Sequence, residues 1–356
     1  MMKYGMKENP AKTDGFSFLE FAAENADELR GLFTLMGFTH VANHKHQNVE
    51  LWQQNDIVFL LNNSDSAWAG DFIAKHKAGT CGMGFYVEDV NHAIDHCLAQ
   101  KAVHIISQEQ DWEYGDKAIE VINGIADTRL YLTNKRRLMD TGLFVEIPGG
   151  LERMKKNSAG LQLIDHVTHN VYRGNMDKWA NFYVNLFNFR QIRYFDIEGK
   201  LTGLFSRAMT SPCLKIRIPI NESADDKSQI EEFLHTFNGE GIQHIALHSE
   251  NIYDTVDKLK SLGMKFMKTP DTYYRKIGER LPYNPESVDA LQKRQILVDG
   301  APTKDGGYLL QIFTDTVIGP VFFEIIQRKG DEGFGEGNFQ ALFDSIELDQ
   351  IERGVL

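Results

Sequence analysis

Four times along the chain an apolar, strand-like run leads into an amphipathic helix and then, past a Gly or Asn turn, into further strands. This recurrence limits the possible folds more than any single motif. The first copy, GFSFLEFAAENADELRGLFTLMGFTHV, runs from Gly15 to Val41, and the second, CGMGFYVEDVNHAIDHCLAQKAVHI, from Cys81 to Ile105. The third, IDHVTHNVYRGNMDKWANFYVNLFNFRQI, occupies Ile164 to Ile192, and the fourth, IQHIALHSENIYDTVDKLKSLGMKFM, Ile242 to Met267. Ile252, Val256 and Leu259 are spaced as the buried stripe of a helix, with Gly263 at its C-terminal cap, and Val90, Ile94 and Leu98 form the same stripe in the second copy. Strand candidates follow each helix: VELWQQ and IVFLLN, AIEVI and RLYLT, LKIRIPI, and finally YLLQIF and FFEIIQ.

Each unit therefore reads as β-α-β-β-β. One unit covers only one face of its sheet, so two must pair into one curved sheet with the helices outside. The expected class is α+β, with two domains of paired βαβββ units, each a curved, half-open barrel. The boundary falls in IPGGLERMKKNSAGL, which gives an N-terminal domain over 1–150, a linker over 151–160 and a second domain over 161–356. The second domain ends in a predicted helix carrying Phe339, Leu342, Phe343 and Ile346.

A length of 356 residues suits two domains. With 38 Lys and Arg against 50 Asp and Glu, the formal charge of −12 repels nucleic acid and anionic lipid, so neither is expected as a partner. No run approaches the ~18 to 20 apolar residues of a membrane helix, and MMKYGMKENPAKTDG lacks the apolar core of a secretion signal. Cys81, Cys97 and Cys213 are too few and scattered for a disulfide framework. The expectation is a cytoplasmic protein. The 23 phenylalanines are an excess that this arithmetic leaves unexplained.

Among twelve histidines, His166 in LIDHVTHNV and His244 in GIQHIALHS stand out, because each lies on the opening strand of a unit in the second half. Glu324 lies inside the apolar final strand PVFFEIIQR, where a charge is costly unless paired, hydrogen-bonded or metal-bound. The three follow one another at about 80 residues, roughly one unit each, so equivalent strands can bring them together inside one barrel. Two imidazoles and a carboxylate can hold Fe(II) on one face of an octahedron, leaving positions for a chelating 2-oxo acid and dioxygen. On pattern alone the alternative stays open: two buried, hydrogen-bonded histidines and a glutamate paired with an arginine.

Other histidines carry weaker readings. His92 and His96 beside Cys97 read as a solvated helical face, and His40, His44 and His46 as surface loop. His169, three residues from His166, belongs on the opposite sheet face, and His248 ranks behind His244 as a ligand. Alignment of the two halves sets Gly82 opposite His244, with Phe16 and Phe18 near the place of His166, so the first half reads as metal-free.

At these residues the chain resembles the 4-hydroxyphenylpyruvate dioxygenases, two-domain members of the vicinal oxygen chelate (glyoxalase-like) superfamily. The motifs that carry the resemblance are IDHVTHNV, RIPINE, SQIEEFL, GEGIQHIAL, TYY, LLQIF, FFEIIQRKG and GFGEGNF, in that order from about Leu161 onward. The resemblance implies Fe(II) at His166, His244 and Glu324. It implies catalytic and substrate-binding roles for Ser206, Asn221, Gln229, Gln243 and Gln311, with Phe313, Phe322, Phe334, Asn338 and Phe339 completing the substrate pocket. The implied reaction turns 4-hydroxyphenylpyruvate and O2 into homogentisate and CO2 in tyrosine and phenylalanine catabolism. The implied assembly is a homodimer or homotetramer. The alternatives are 4-hydroxymandelate synthesis, on the same substrate and iron, or a binding protein on the same fold without catalysis.

Gly330, Gly333, Gly335 and Gly337 precede the terminal helix, which suggests a hinged lid over the iron pocket. Truncation after Gly337 is expected to remove most turnover while circular dichroism shows an intact fold. Full activity in that truncation would exclude the lid.

Overall fold

The computed structural model describes residues 8–105, 119–198, 203–301, 303 and 306–341. The predicted helix positions Leu342, Phe343 and Ile346 lie outside the described residues. Two curled eight-stranded sheets make up the chain. The first contains β1 (Thr13–Ala23), β2 (Thr39–His44), β3 (Val49–Gln54), β4 (Ile57–Asn62), β5 (Ala78–Val87), β6 (Ile119–Asn123), β7 (Arg129–Thr133) and β8 (Phe144–Glu146), in the order β6-β7-β5-β1-β4-β3-β2-β8. The second contains β9 (Leu161–Val171), β10 (Arg190–Glu198), β11 (Gly203–Thr210), β12 (Arg217–Ser223), β13 (Gly241–Ser249), β14 (Leu297–Gly300), β15 (Tyr308–Phe313) and β16 (Phe322–Lys329), in the order β10-β11-β12-β9-β13-β16-β15-β14.

The two sheets share one logic. The opening strands of their two units run antiparallel, β1 to β5 and β9 to β13, and each lies parallel to the last strand of its own unit: β4, β7, β12 and β16. Parallel neighbours need a crossover, and a helix on the outer face supplies it. The helix Ile252–Leu262 buries Ile252, Val256 and Leu259 and ends on Gly263 at φ +103°, where a side chain would be strained. In Val90–Ala99 the stripe is Val90, Ala93, Ile94 and Cys97, while Leu98 is 38 % exposed, so that expectation was wrong by one position. The i, i+3, i+4, i+7 rule selects small Ala93 and Cys97 for the close approach and turns Leu98 to solvent.

Several elements escape the sequence pattern. Strands β10 and β11 lie at the sheet edge, where Gln191, Arg193, Tyr194 and Asp196 are exposed, so no apolar run marks them. Helices Ala67–His76 and Gln229–Phe237 are further additions. The segment expected as a linker is largely helical, Gly150–Asn157, and its exit is bound to the first half. The Gln54 side-chain oxygen accepts from the amides of Ala159 and Leu161 at 2.6 and 3.2 Å.

The helix-facing cores of the two sheets merge. Phe59 meets Phe323 at 6.0 Å between ring centroids, Phe85 meets Phe187 at 5.4 Å, and Phe72 meets Phe237 at 6.3 Å. Much of the phenylalanine excess is this shared core, where rings bury large areas and pack edge to face. The concave faces differ sharply. In the first sheet that face is filled by a buried cluster including Phe18, Leu51, Val58, Leu60, Val121 and Tyr131, whereas among the described residues its counterpart in the second is only Ala246, Leu309 and Ile326.

His169 points to the helix side of β9, fully buried, with its Nε2 hydrogen-bonded to the Tyr183 hydroxyl at 2.9 Å. Burial pushes its pKa down from 6.5 to about 4. A group depressed in this way favours the fold above pH 6.5, and that contribution is lost as pH falls toward 4. His169→Gln should therefore lose about 2 kcal/mol less stability than the parent chain between pH 7 and pH 5, as measured by urea unfolding. Parallel pH profiles would contradict the assignment.

Candidate metal centre and substrate cavity

The hollow concave face of the second sheet is where the sequence-predicted ligands meet. Register places Ala246 of β13 directly between His166 of β9 and Glu324 of β16, and His244 two residues earlier on the same face of β13. Ala246 is small, so the three longer side chains close over it. One ligand atom from each of His166, His244 and Glu324 lies within 4.8 Å of the others, and all three residues are buried. His166 Nε2 is 3.3 Å and His244 Nε2 3.7 Å from Glu324 Oε2.

The orientation of both imidazoles is held from behind. The His166 Nδ1–H donates to Asp165 Oδ1 at 2.8 Å, and the His244 Nδ1–H donates to Gln243 Oε1 at 2.7 Å. Each arrangement leaves Nε2 as a lone-pair donor aimed inward. Three electron-pair donors facing one point in a buried site need a positive charge there, and a nitrogen–nitrogen–oxygen set suits a divalent transition metal. A proton on His166 answers the same need for positive charge. Burial opposes a proton on His166, but the Glu324 charge and the bonds to Asp165 and Glu324 overcome it and raise its pKa. Burial, with the charges of His166 and His169, holds His244 well below the ordinary imidazole value.

Both holding residues depend on irregular strands. The β9–β13 register shifts between Ile242↔His169 and His244↔Thr168, leaving Gln243 as an extra residue, and again between Ala246↔His166 and Leu247↔Ile164, leaving Asp165 as another. On a regular strand the residue before a ligand points to the opposite face; at a bulge it can turn to the same side.

A cavity of about 310 Å³ opens over these three side chains. Its wall includes Ser206, Asn221, Gln229, Gln243 and Gln311 and the rings of Phe313, Phe322, Phe334 and Phe339. Phe322 stacks on His244 with centroids 5.0 Å apart, and Phe334 sets its edge against His166 at 5.2 Å. Asn338 is placed differently from the rest. It is 1 % exposed and stands behind Gln311, donating from Nδ2 to Gln311 Oε1 at 2.9 Å and accepting at Oδ1 from the Tyr273 hydroxyl at 2.6 Å. Gln311 Nε2 in turn reaches Glu324 Oε1 at 3.4 Å. Sequence reasoning missed Asp165, although a charge directly before a ligand inside an apolar strand is a usable signal. It also missed Leu204, Pro219 and Ile230 of the apolar wall, which look like ordinary core.

The remaining histidines stay apart from this cluster. His92 bonds the Pro10 carbonyl; His40 and His44, expected in a surface loop, lie on β2 instead, His40 stacked on Trp52 and His44 buried against Phe144. In the first sheet, register sets Gly84 between Phe18 and Tyr131 as Ala246 lies between His166 and Glu324, and Gly82 falls in the place of His244. The Phe18 and Tyr131 rings meet at 5.2 Å, and the Tyr131 hydroxyl donates to Glu20 Oε2 at 2.6 Å. A Cβ at Gly82 would overlap both Tyr131 and Glu20.

His244→Ala should weaken binding of a divalent transition metal by on the order of 100-fold or more, read by anaerobic titration with Fe(II). Unchanged affinity would refute the site.

Comparison with known proteins accounts for nearly the whole chain. The family described as "Hydroxyphenylpyruvate dioxygenase, HPPD, N-terminal" matches residues 7–144, and the "Glyoxalase/Bleomycin resistance protein/Dioxygenase superfamily" matches 163–286. A 4-hydroxyphenylpyruvate dioxygenase of Pseudomonas aeruginosa is 54% identical over 98% of this chain and 97% of its own length. Hemolysin VllY of Vibrio vulnificus is also 54% identical, over 98% of both chains. A solved 4-hydroxymandelate synthase mutant from Streptomyces coelicolor shares the fold at a TM-score of 0.79 and 22% identity, covering 95% of this chain and 99% of that one. With full-length identity of this order, the chain belongs to the 4-hydroxyphenylpyruvate dioxygenase family.

Proposed function

We infer that the chain converts 4-hydroxyphenylpyruvate and O2 to homogentisate and CO2, using Fe(II) bound by His166, His244 and Glu324. The observation that carries this reading is the convergence of two imidazole nitrogens and a carboxylate at one end of a mostly apolar cavity, in a chain of this family. Iron bound there would supply dioxygen activation beside a chelated 2-oxo acid. The reaction balances without an added reductant. Carbon dioxide leaves, and the two oxygen atoms of O2 enter the new carboxylate and the ring.

The chain's own residues supply orientation and dryness. Ser206, Asn221, Gln229, Gln243 and Gln311 are neutral, so they bind polar substrate groups without competing with the ligands for charge. Phe313, Phe322, Phe334 and Phe339 suit the aryl ring and exclude water, which strengthens every polar contact inside. Asn338 acts by holding Gln311 in place rather than by touching substrate.

The first half acts as scaffold, with its equivalent positions filled by Phe18, Gly82 and Tyr131. Free Cys81, Cys97 and Cys213 suit a reducing cytoplasm, and no helix among the described residues is long and apolar enough to cross a membrane. A homodimer or homotetramer completes the reading.

With Fe(II), ascorbate and 4-hydroxyphenylpyruvate, the protein should consume one O2 per CO2 released and yield homogentisate. 4-Hydroxymandelate as product would transfer it to the synthase, and absence of oxygen uptake would leave a binding protein.

A further inference from the structure

We propose that the Asp165–Arg328 ion pair is a positioning element that ties the ligand His166 to the segment 331–341 that follows β16, here called the terminal segment, so that metal binding and docking of that segment reinforce one another. The proposal rests on the metal reading of the triad. Asp165 and Arg328 are among the few buried charges near the ligands that the reaction itself does not use, with side chains 3 % and 8 % exposed. Their contact is bidentate: Arg328 Nε donates to Asp165 Oδ2 and Nη2 to Oδ1, both at 2.8 Å. Such a fork fixes both direction and distance. The bulge at position 165 brings this carboxylate to the His166 ring, where Oδ1 also accepts from Nδ1.

The other side of the guanidinium holds the terminal segment. Arg328 Nη1 donates to the carbonyls of Asp331 at 3.1 Å and Gly333 at 2.6 Å, and the guanidinium carbon lies 5.8 Å from the Phe334 ring centroid. Phe334 is the ring set against His166. Arg217 supports the same junction, reaching Asp165 Oδ2 at 3.4 Å and pairing with Glu332. A closed loop results: His166, Asp165, Arg328, the 331–334 backbone, Phe334, and back to His166. Rotation of the imidazole away from its inward direction would break the fork or displace Phe334, and lifting of the terminal segment would free the guanidinium that orients Asp165. A cation that fixes Nε2 therefore favours the docked segment, and by reciprocity the docked segment favours the cation.

The test uses Co(II) on the full-length protein, with Arg328→Lys and Asp165→Asn beside the parent chain. Lysine keeps the charge but not the fork, and asparagine keeps an acceptor for His166 but not the paired charge. The expected result is Co(II) dissociation constants raised about 10- to 100-fold, with an altered Co(II) visible spectrum. In the parent chain Co(II) should slow chymotrypsin cleavage of the terminal segment about fivefold or more, and in both variants that protection should shrink. Parent-like affinity, or parent-like protection by Co(II), in a variant that folds would overturn the inference. Failure of the parent chain itself to bind Co(II) would instead overturn the metal reading, and this inference with it. If Arg328→Lys does not fold, Asp165→Asn carries the same readouts.

Discussion

Everything at the site depends on three potential electron-pair donors being held close together in a buried place. Left alone, His166 Nε2, His244 Nε2 and Glu324 Oε2 would tend to rotate apart or capture a proton. They stay because each is anchored on its far side: His166 by Asp165, His244 by Gln243, and Glu324 by Gln311, which Asn338 and Tyr273 back in turn. The protein thus stores the metal's preference in its own hydrogen bonds, and the two bulges in β9 and β13 are what make those anchors reachable.

The two halves show what one topology can be used for. Strand order and parallel pairs match, yet the first sheet closes its concave face with packed rings and aliphatic chains while the second keeps a cavity. The packed half contributes to the other through the shared helix-side core, where Phe59, Phe72 and Phe85 meet Phe323, Phe237 and Phe187. A sheet with an open concave face buries less of its own surface, and burial against the neighbouring half offsets that loss.

Much of this was legible in the sequence, for definite physical reasons. The repeat was visible because buried stripes and strand runs impose their periods on residue type, as with Ile252, Val256 and Leu259. The triad was visible because a carboxylate in FFEIIQR is expensive without a partner. What was not visible was geometry that breaks the period. Strict alternation would place Asp165 and Gln243 on the faces opposite their histidines, so the bulges that bring them alongside left no pattern. Exposed β10 carries little apolar signal beyond the turn that opens it, and nothing in GFGEGNF signals the bond from Asn338 to Gln311. Among the described residues Glu324 pairs with no arginine, and Arg328, four residues further along the same strand, pairs with Asp165 instead.

Ala246 sets a limit on how far ligand residues alone can certify a member of this superfamily. It lies between His166 and Glu324 with its side chain on their face, fully buried. A valine or leucine there would occupy the seat without altering one ligand. A descendant chain could therefore retain both histidines and the glutamate, align without a gap, and be chemically silent. Functional inheritance along this lineage is better judged by four residues than by three, the fourth being notable for what it lacks.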